Sequence, residues 1–193
     1  MSGRHRPRGA HRGDERFFGA YIAIVKRVDD DSKEGGVIVT FPWLDDRTEF
    51  PARVSTLYSG PSFGAVWTPE KDVEVVVVFE CGDLRAPIIV GCLYNGVDHP
   101  PTVRTSRDDR KVLRTKAGHQ ITFFDGPSER GIKVETKDGH HIHVDDAAGS
   151  IEVAVSGGAK AKLTRTDLTL EATTITIKGS TLVKISGTRI ELN

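Results

Sequence analysis

The sequence predicts an all-β protein in which a small five-stranded barrel is followed by a long series of short strands. Three observations support this fold class. No segment of the 193 residues has the periodicity of a convincing amphipathic helix. Residues 17–96 contain five apolar segments that are separated by turn residues. Residues 112–193 contain many short segments in which apolar and polar residues alternate.

The five barrel strands are predicted at residues 21–28, 37–41, 52–57, 73–79 and 88–93. The fourth segment is almost continuously apolar, which is typical of a strand with both faces buried. We interpret residues 42–51 as a loop and residues 58–69 as a long connection. Five short strands within one such span fit a small closed barrel such as an OB-fold.

An internal repeat opens the C-terminal region. Residues 115–125 (TKAGHQITFFD) are echoed 21 positions later by residues 136–146 (TKDGHHIHVDD). Each copy is followed by glycine and a further alternating segment. Repetition at a short fixed period is a mark of solenoid-like β architecture.

Four apolar pairs end the region, and each pair places two side chains on one face of a strand. The pairs are Leu168/Leu170, Ile175/Ile177, Val183/Ile185 and Ile190/Leu192. Segments this short bury too little apolar surface to offset the entropy of ordering them alone. Three copies wound around one axis would pair every strand edge. We therefore interpret residues 112–193 as an intertwined trimeric β-helix, or needle, with a C-terminal β-sandwich as the alternative.

Composition excludes several classes of protein. The 27 basic and 27 acidic residues balance, so net charge does not indicate a nucleic acid or membrane partner. No apolar run is long enough to span a bilayer, and the N-terminus lacks the apolar segment of a signal peptide. We expect synthesis in the cytoplasm. Residues 1–16 are interpreted as a disordered basic arm and residues 97–111 as a linker.

Several motifs resemble those of the spike proteins of contractile injection systems. In the barrel they are FPWL (41–44), PARV (51–54), PEKDVEVVVVFE (69–80), GD (82–83) and PIIVGCLYNG (87–96). In the repeat, AGHQI and DGHHI resemble the opening of the family's β-helix. The resemblance is to the OB domain and β-helix of phage baseplate assembly protein V and of the type VI secretion spike VgrG. It covers residues 17–193.

This resemblance implies a structural, non-enzymatic role without a cofactor. Three chains would form the central spike of a phage-tail or injection-particle baseplate, with the barrels docked to a hub at the end of the tail tube. The needle would pierce the target envelope when the sheath contracts. VgrG proteins carry a hub portion before the barrel, whereas a short arm precedes it here, which favours a hub made by a separate chain. A small PAAR-type tip protein would bind Thr188, Arg189, Ile190, Glu191, Leu192 and Asn193.

Two histidines form the most suggestive metal-binding pattern. His141 and His143 would place both imidazoles on one face of a strand, and three chains would then offer six nitrogens to a metal. Some spikes of this family bind a metal through such a motif at their tip. The repeat, however, aligns these residues with Gln120 and Thr122, which should face solvent. We expect solvated histidines rather than a metal site.

Other chemically reactive residues have ordinary explanations. Asp125, Asp145 and Asp146 end repeated strands, where aspartate is a common turn former, so we expect no catalysis. Cys81 and Cys92 flank the turn between the last two barrel strands, where they could face each other. Their spacing is not that of a redox motif.

Three alternative functions remain open. Many OB barrels bind single-stranded nucleic acid through a basic groove with stacking aromatic residues. The candidates here are Trp43, Tyr58, Phe63, Trp67 and Tyr94. Few basic residues lie among them, so we expect no specific nucleic acid partner. The second alternative is an envelope-degrading enzyme, for which the sequence offers no residues, and the third is a spike that carries a payload.

Overall fold

The computed structural model describes residues 16–28, 35–102 and 109–191. The chain divides into two compact units, Met1–Pro100 and Pro101–Asn193. Apart from one 3-10 turn at Glu80–Gly82, the regular structure of the described residues is all strand, which confirms the predicted class. Nowhere in this part of the chain does a helix have the length and apolarity that crossing a membrane requires.

The first unit contains seven strands. They are β1 (Tyr21–Arg27), β2 (Val37–Phe41), β3 (Asp45–Val54), β4 (Ser59–Gly60), β5 (Phe63–Gly64), β6 (Glu74–Phe79) and β7 (Pro87–Cys92). Five of them close a barrel in the order β1-β2-β3-β7-β6. Neighbours are antiparallel except β3 and β7, which pair in parallel at Arg53 and Val54. The closed five-stranded barrel matches an OB-fold, as predicted.

Alternation along the strands fills the barrel with apolar side chains, because every second residue points inward. The least exposed of these, at 0–2%, are Ala23, Val25, Val37, Val39, Phe41, Val75, Val77 and Ile89. The almost continuous apolar run predicted in the fourth barrel strand corresponds to β6. Its residues alternate between buried and partly buried, so both faces of this strand are largely covered.

The third barrel strand begins earlier than the sequence predicts. Residues 42–51 were expected to form a loop, but β3 starts at Asp45 and continues through Pro51. Proline usually argues against a strand interior, since it lacks the N–H group that a ladder needs. Here β7 pairs only with Arg53 and Val54, so the part of β3 that contains Pro51 does not pair with β7. At Pro51, β3 is therefore paired on one side only, with β2, and a residue without an N–H group is tolerated where a strand edge is unpaired.

The second unit contains one seven-stranded antiparallel sheet whose strands follow chain order. They are β8 (Lys111–Arg114), β9 (Gln120–Asp125), β10 (Arg130–Glu135), β11 (His141–Asp145), β12 (Ser150–Ala154), β13 (Lys160–Leu163) and β14 (Leu168–Glu171). Among the described residues of this unit no second sheet packs on the first, so the β-sandwich alternative is not what the chain forms.

The predicted repeat appears as two matching turns before β9 and β11. Both turns contain the same pair of backbone hydrogen bonds, which join Thr115 to His119 and Gly118, and Thr136 to His140 and Gly139. The backbone N–H of Lys137 donates to Nδ1 of His119 at 3.3 Å, and that of Ser156 donates to Nδ1 of His140 at 3.1 Å. Each histidine therefore links its own turn to the turn that follows along the sheet.

The apolar pairs after Glu171 do not form strands in the single chain. Ile175, Ile177, Val183 and Ile185 lie between 46% and 67% exposed, and the described residues from 172 to 191 contain no regular element. The sequence predicts strands at these pairs, but a strand needs a partner edge, and these segments form no backbone ladder within one chain.

Gly131 in β10 allows a close approach to β11. Its φ is +143°, and a Cβ atom there would lie 2.0 Å from the carbonyl oxygen of Val144. We expect Gly131→Ala to destabilise the second unit by roughly 1–3 kcal/mol, because the backbone must shift. Thermal and denaturant unfolding of the purified variant would measure this loss.

Gly126→Ala is the matched control. This glycine precedes the same strand, and its Cβ atom would make an ordinary 3.5 Å contact with Glu129. We expect an effect within about 0.5 kcal/mol. Equal losses in the two variants would show that the close approach at Gly131 is not the cause.

Candidate assembly surface

The two faces of the seven-stranded sheet differ in chemistry. Strand register aligns one apolar row across the sheet, through Leu113, Ile121, Val134, Ile142, Val153, Ala161 and Leu170. It aligns a second row through Phe123, Ile132, Val144, Ile151, Leu163 and Leu168. Since residues two apart on a strand share a face, both rows lie on the same side, which we call the apolar face.

The apolar face is open in the single chain. Ten of its large side chains are between 39% and 64% exposed: Leu113, Phe123, Ile132, Val134, Ile142, Ile151, Val153, Leu163, Leu168 and Leu170. Soluble monomers rarely expose a contiguous apolar patch of this extent, and such patches mark interaction sites. The apolar face is therefore the strongest candidate for an assembly surface in the described part of the chain.

The opposite side, the polar face, carries charged side chains in pairs. Lys133 Nζ lies 2.8 Å from Glu135 Oε1, and Lys160 Nζ lies 3.0 Å from Glu171 Oε2. The hydrogen bond to Glu171 raises the pKa of the Lys160 ammonium. Exposed pairs such as Lys160–Glu171 contribute little to stability. The expectation that Thr122 faces solvent is wrong, because this residue is 3% exposed on the same face.

His141 and His143 lie on the polar face. His141 Nδ1 is 3.0 Å from the carbonyl oxygen of Gly139, and its Nε2 is 3.1 Å from Glu152 Oε1. The hydrogen bond from His141 lowers the pKa of the Glu152 carboxyl. His143 packs near the ring of Phe124, with the centroids 6.1 Å apart. Across the described ranges, no three His, Cys, Asp or Glu side chains are grouped so that they could hold a metal ion.

The aspartates and cysteines that the sequence offered as reactive residues either form turns or lie apart. Asp145 Oδ1 accepts the backbone N–H of Ala148 at 2.8 Å, which is a turn contact. Both cysteines are free thiols. The interpretation that they face each other is wrong. Cys92 pairs with Val75 at one end of the β6–β7 ladder, whereas Cys81 follows the other end.

One end of the barrel is closed by an aromatic cluster formed by Phe17, Tyr21, Phe41, Trp43, Phe50 and Phe79. The ring of Phe17 lies 5.6 Å from Trp43 and 5.8 Å from Phe79, measured between centroids. The backbone N–H of Phe17 donates to the carbonyl oxygen of Gly82 at 3.0 Å, which fixes the start of the described chain on the barrel. The sequence did not single out Phe17, because no pattern marked it as different from Phe18.

The five aromatic residues considered for nucleic acid stacking do not form one platform. Trp43 belongs to the aromatic cluster, and the rings of Tyr58 and Phe63 pair with each other at 5.3 Å. Trp67 and Tyr94 are 64% and 65% exposed. An extended stacking surface with basic residues between its rings is what single-strand binding requires. The nucleic acid alternative is therefore not favoured.

The connection between β3 and β6 is an uncharged loop with exposed apolar side chains. Residues 55–69 contain no charged side chain. Leu57, Val66 and Trp67 are 94%, 86% and 64% exposed, and the loop borders a groove of about 640 Å³. The β4–β5 hairpin within this connection was not predicted from the sequence.

The end of the described chain is exposed and contains no regular element. Thr188, Arg189, Ile190 and Glu191 contain no strand, and Arg189 pairs with Glu191. Leu192 and Asn193, which were predicted to complete a tip-binding segment, lie outside the described residues.

These features define a protein with a small OB-type barrel and a repetitive sheet that has one open apolar face. Residues 21–94 match the family described as the type VI secretion system/phage-baseplate injector OB domain. This range contains all seven strands of the first unit. Over these residues the barrel is similar to the OB domains of type VI secretion and phage-baseplate injectors.

Curated relatives agree with this assignment. The type VI secretion system spike protein VgrG5 of Pseudomonas aeruginosa is 34% identical over 86 residues, which are 42% of this chain and 11% of that protein. The actin cross-linking toxin VgrG1 of Vibrio cholerae is 32% identical over 97 residues, which are 48% of this chain and 9% of the toxin. Spike protein VgrG3 of Vibrio cholerae is 32% identical over 91 residues, which are 45% of this chain and 9% of that protein. The chain spans about a tenth of the length of these relatives.

The aromatic cluster gives a direct prediction for the barrel. We expect Phe17→Ala to lower barrel stability by roughly 1.5–3 kcal/mol, because a partly buried ring with three aromatic neighbours is lost. Phe18→Ala is the control, since Phe18 is 74% exposed and should change stability by less than about 0.5 kcal/mol. Chemical denaturation of both variants measures the difference. A loss at Phe18 as large as that at Phe17 would contradict the role of the cluster.

Proposed function

We propose that three copies of this chain form the central spike of a contractile phage tail or injection-system baseplate. The open apolar face is the observation that carries this proposal. Three sheets around one axis would turn their apolar faces inward and leave their polar faces, with the ion pairs, in solvent. The relationship to spike proteins independently supports the same assembly.

The trimer would also provide pairing partners for the C-terminal segment, residues 172–191. In our proposal, residues 172–191 pair with the same residues of two other chains and continue as a triple-stranded β-helix. Leu168/Leu170, Ile175/Ile177 and Val183/Ile185 would then supply successive layers of one narrow core. Interchain pairing would give each strand two neighbours and remove the free edges at β8 and β14.

The proposed role is mechanical. The barrels would dock to a hub at the end of the tail tube, and the needle would be driven into the target envelope when the sheath contracts. Stiffness and slow unfolding are what this task needs, and strands bonded on both edges provide them. We assign residues 1–16 to an arm, 17–96 to the barrel, 97–111 to a linker and 112–193 to the needle. The chain would be made in the cytoplasm and assembled into the baseplate, and we propose no enzymatic step.

A matched pair of charge substitutions tests the trimer. Ile142 on the apolar face is 50% exposed in one chain, so Ile142→Lys should be tolerated by a monomer. In the trimer, the ammonium would enter the shared core, where an unpaired charge costs several kcal/mol. We expect light scattering to give three times 21.1 kDa for the natural chain and a monomer or aggregate for Ile142→Lys.

Thr169→Lys places the same charge on the polar face of β14, and we expect this control to remain trimeric. A natural chain that is a well-folded monomer would overturn the proposed spike. A trimer that is unaffected by Ile142→Lys would show that the apolar face is not the interface.

We further propose that Thr188 to Asn193 of the trimer receive a PAAR-type tip protein. The exposure of Ile190 motivates this assignment, because this apolar side chain is 54% exposed in the single chain. We expect Ile190→Asp to lower the affinity of the full trimer for a PAAR-type protein from the same source by at least about tenfold, or roughly 1.4 kcal/mol. Titration calorimetry measures this, and unchanged binding would place the tip protein elsewhere.

A further inference from the structure

The chain leaves the barrel through a group of hydrogen bonds centred on Asn95. We call residues 93–98 the barrel exit. Asn95 Oδ1 accepts the backbone N–H groups of Val97 at 2.8 Å and Asp98 at 2.7 Å. Asn95 Nδ2 donates to Glu74 Oε2 at 3.3 Å, and the backbone N–H of Leu93 donates to the carbonyl oxygen of Glu74 at 2.9 Å. The side chain of one asparagine therefore ties the exit to the first residue of β6.

The amide at this position is unusual for the chain. The sequence contains two asparagines, Asn95 and Asn193, and one glutamine, Gln120. Aspartate would serve equally well as the acceptor of two backbone N–H groups, since its carboxylate forms the same turn. Only the amide form can also donate to the Glu74 carboxylate. Asn95 is thus placed where its amide nitrogen, and not merely its oxygen, has a partner.

Asn95 is followed by Gly96, which leaves the next backbone nitrogen unhindered. Gly96 is exposed, and no atom lies within 4 Å of the position that a Cβ atom would occupy. The two N–H groups that point at Oδ1 are also arranged to stabilise negative charge on that oxygen. Such charge develops when a nitrogen attacks the amide carbon, and donors at 2.7–2.8 Å are at the distance that favours it.

We propose that Asn95 is a site of spontaneous covalent modification, at which the folded protein converts its own asparagine to aspartate and isoaspartate. The backbone nitrogen of Gly96 loses its proton to solvent and bonds to Cγ of Asn95. The Cγ–Nδ2 bond then breaks, and the nitrogen leaves as ammonia after taking up a proton. Water opens the resulting succinimide at either carbonyl carbon, which gives aspartate or isoaspartate.

The products release the tie at the barrel exit. Aspartate keeps the two backbone hydrogen bonds but replaces the donor to Glu74 with a second carboxylate, so attraction becomes repulsion. Isoaspartate also adds a methylene group to the main chain, which disrupts the 3.0 Å hydrogen bond from the Asn95 N–H to the carbonyl oxygen of Asp98. The modification therefore loosens the segment through which the barrel connects to the rest of the chain.

Mass spectrometry of the aged full-length protein tests the chemistry. We expect the tryptic peptide of residues 86–104 to gain aspartate and isoaspartate at position 95 with release of ammonia, during incubation at mildly alkaline pH. Gly96→Ala should slow this conversion several-fold, because the added methyl group hinders attack by the backbone nitrogen. If the folded protein keeps its amide while a synthetic peptide of residues 91–100 loses it, the fold protects the site and the proposal is overturned.

A pair of substitutions that exchanges the amide and the carboxylate between positions 95 and 74 tests the loss of this contact separately. We expect Asn95→Asp to lower the melting temperature of the barrel by roughly 4–8 °C. Adding Glu74→Gln should restore most of the loss, because the glutamine amide can donate to the new carboxylate. Glu74→Gln alone serves as the control. A melting temperature unchanged in Asn95→Asp, or unrescued in the double variant, would contradict a tie between Asn95 and Glu74.

Discussion

The open apolar face of the C-terminal sheet is the physical constraint that governs the second unit of this protein. A seven-stranded meander satisfies its internal backbone hydrogen bonds, but one of its sides presents ten large apolar side chains to water. No second layer from the described chain covers them. In the proposed trimer, equivalent sheets would cover this side, which would account for both the repeat and the short final segments.

The barrel has the opposite character, because it completes its own core. Its five strands bury a continuous set of aliphatic side chains, and Phe17 and Trp43 close one end with rings. The two units thus differ physically: the barrel encloses its own apolar core, whereas the sheet leaves one apolar face open in the single chain.

Much of the fold was predictable, because its signals are local. The apolar segments that mark β1, β2, β6 and β7 gave their positions to within two residues. The TKxGH repeat predicted a repetitive β region, and the structure adds that each copy begins with the same turn. The start of β3 was missed because Pro51 is a local sign against a strand. The structure tolerates this proline because β7 pairs only with Arg53 and Val54 of β3, and this pairing is a property of the closed barrel. The cysteines were misplaced for the same kind of reason, because strand register decides which residues face each other.

The candidate surface was predictable only in part. The two-residue spacing within each apolar pair predicted that these side chains share one face of a strand. The same spacing could not show that Phe17 closes the barrel or that Asn95 contacts Glu74. Both contacts join residues that are far apart in sequence, and no periodicity connects them.

Hydrogen exchange of the assembled natural protein is the most direct test of the central claim. If other copies complete the C-terminal segment, backbone amides near Ile175, Ile177, Val183 and Ile185 will exchange as slowly as those of β9 to β12. Fast exchange throughout residues 172–191, with slow exchange in the barrel, would show that these segments remain unpaired. The proposal that other copies of the chain complete residues 172–191 as a triple-stranded β-helix would then be wrong.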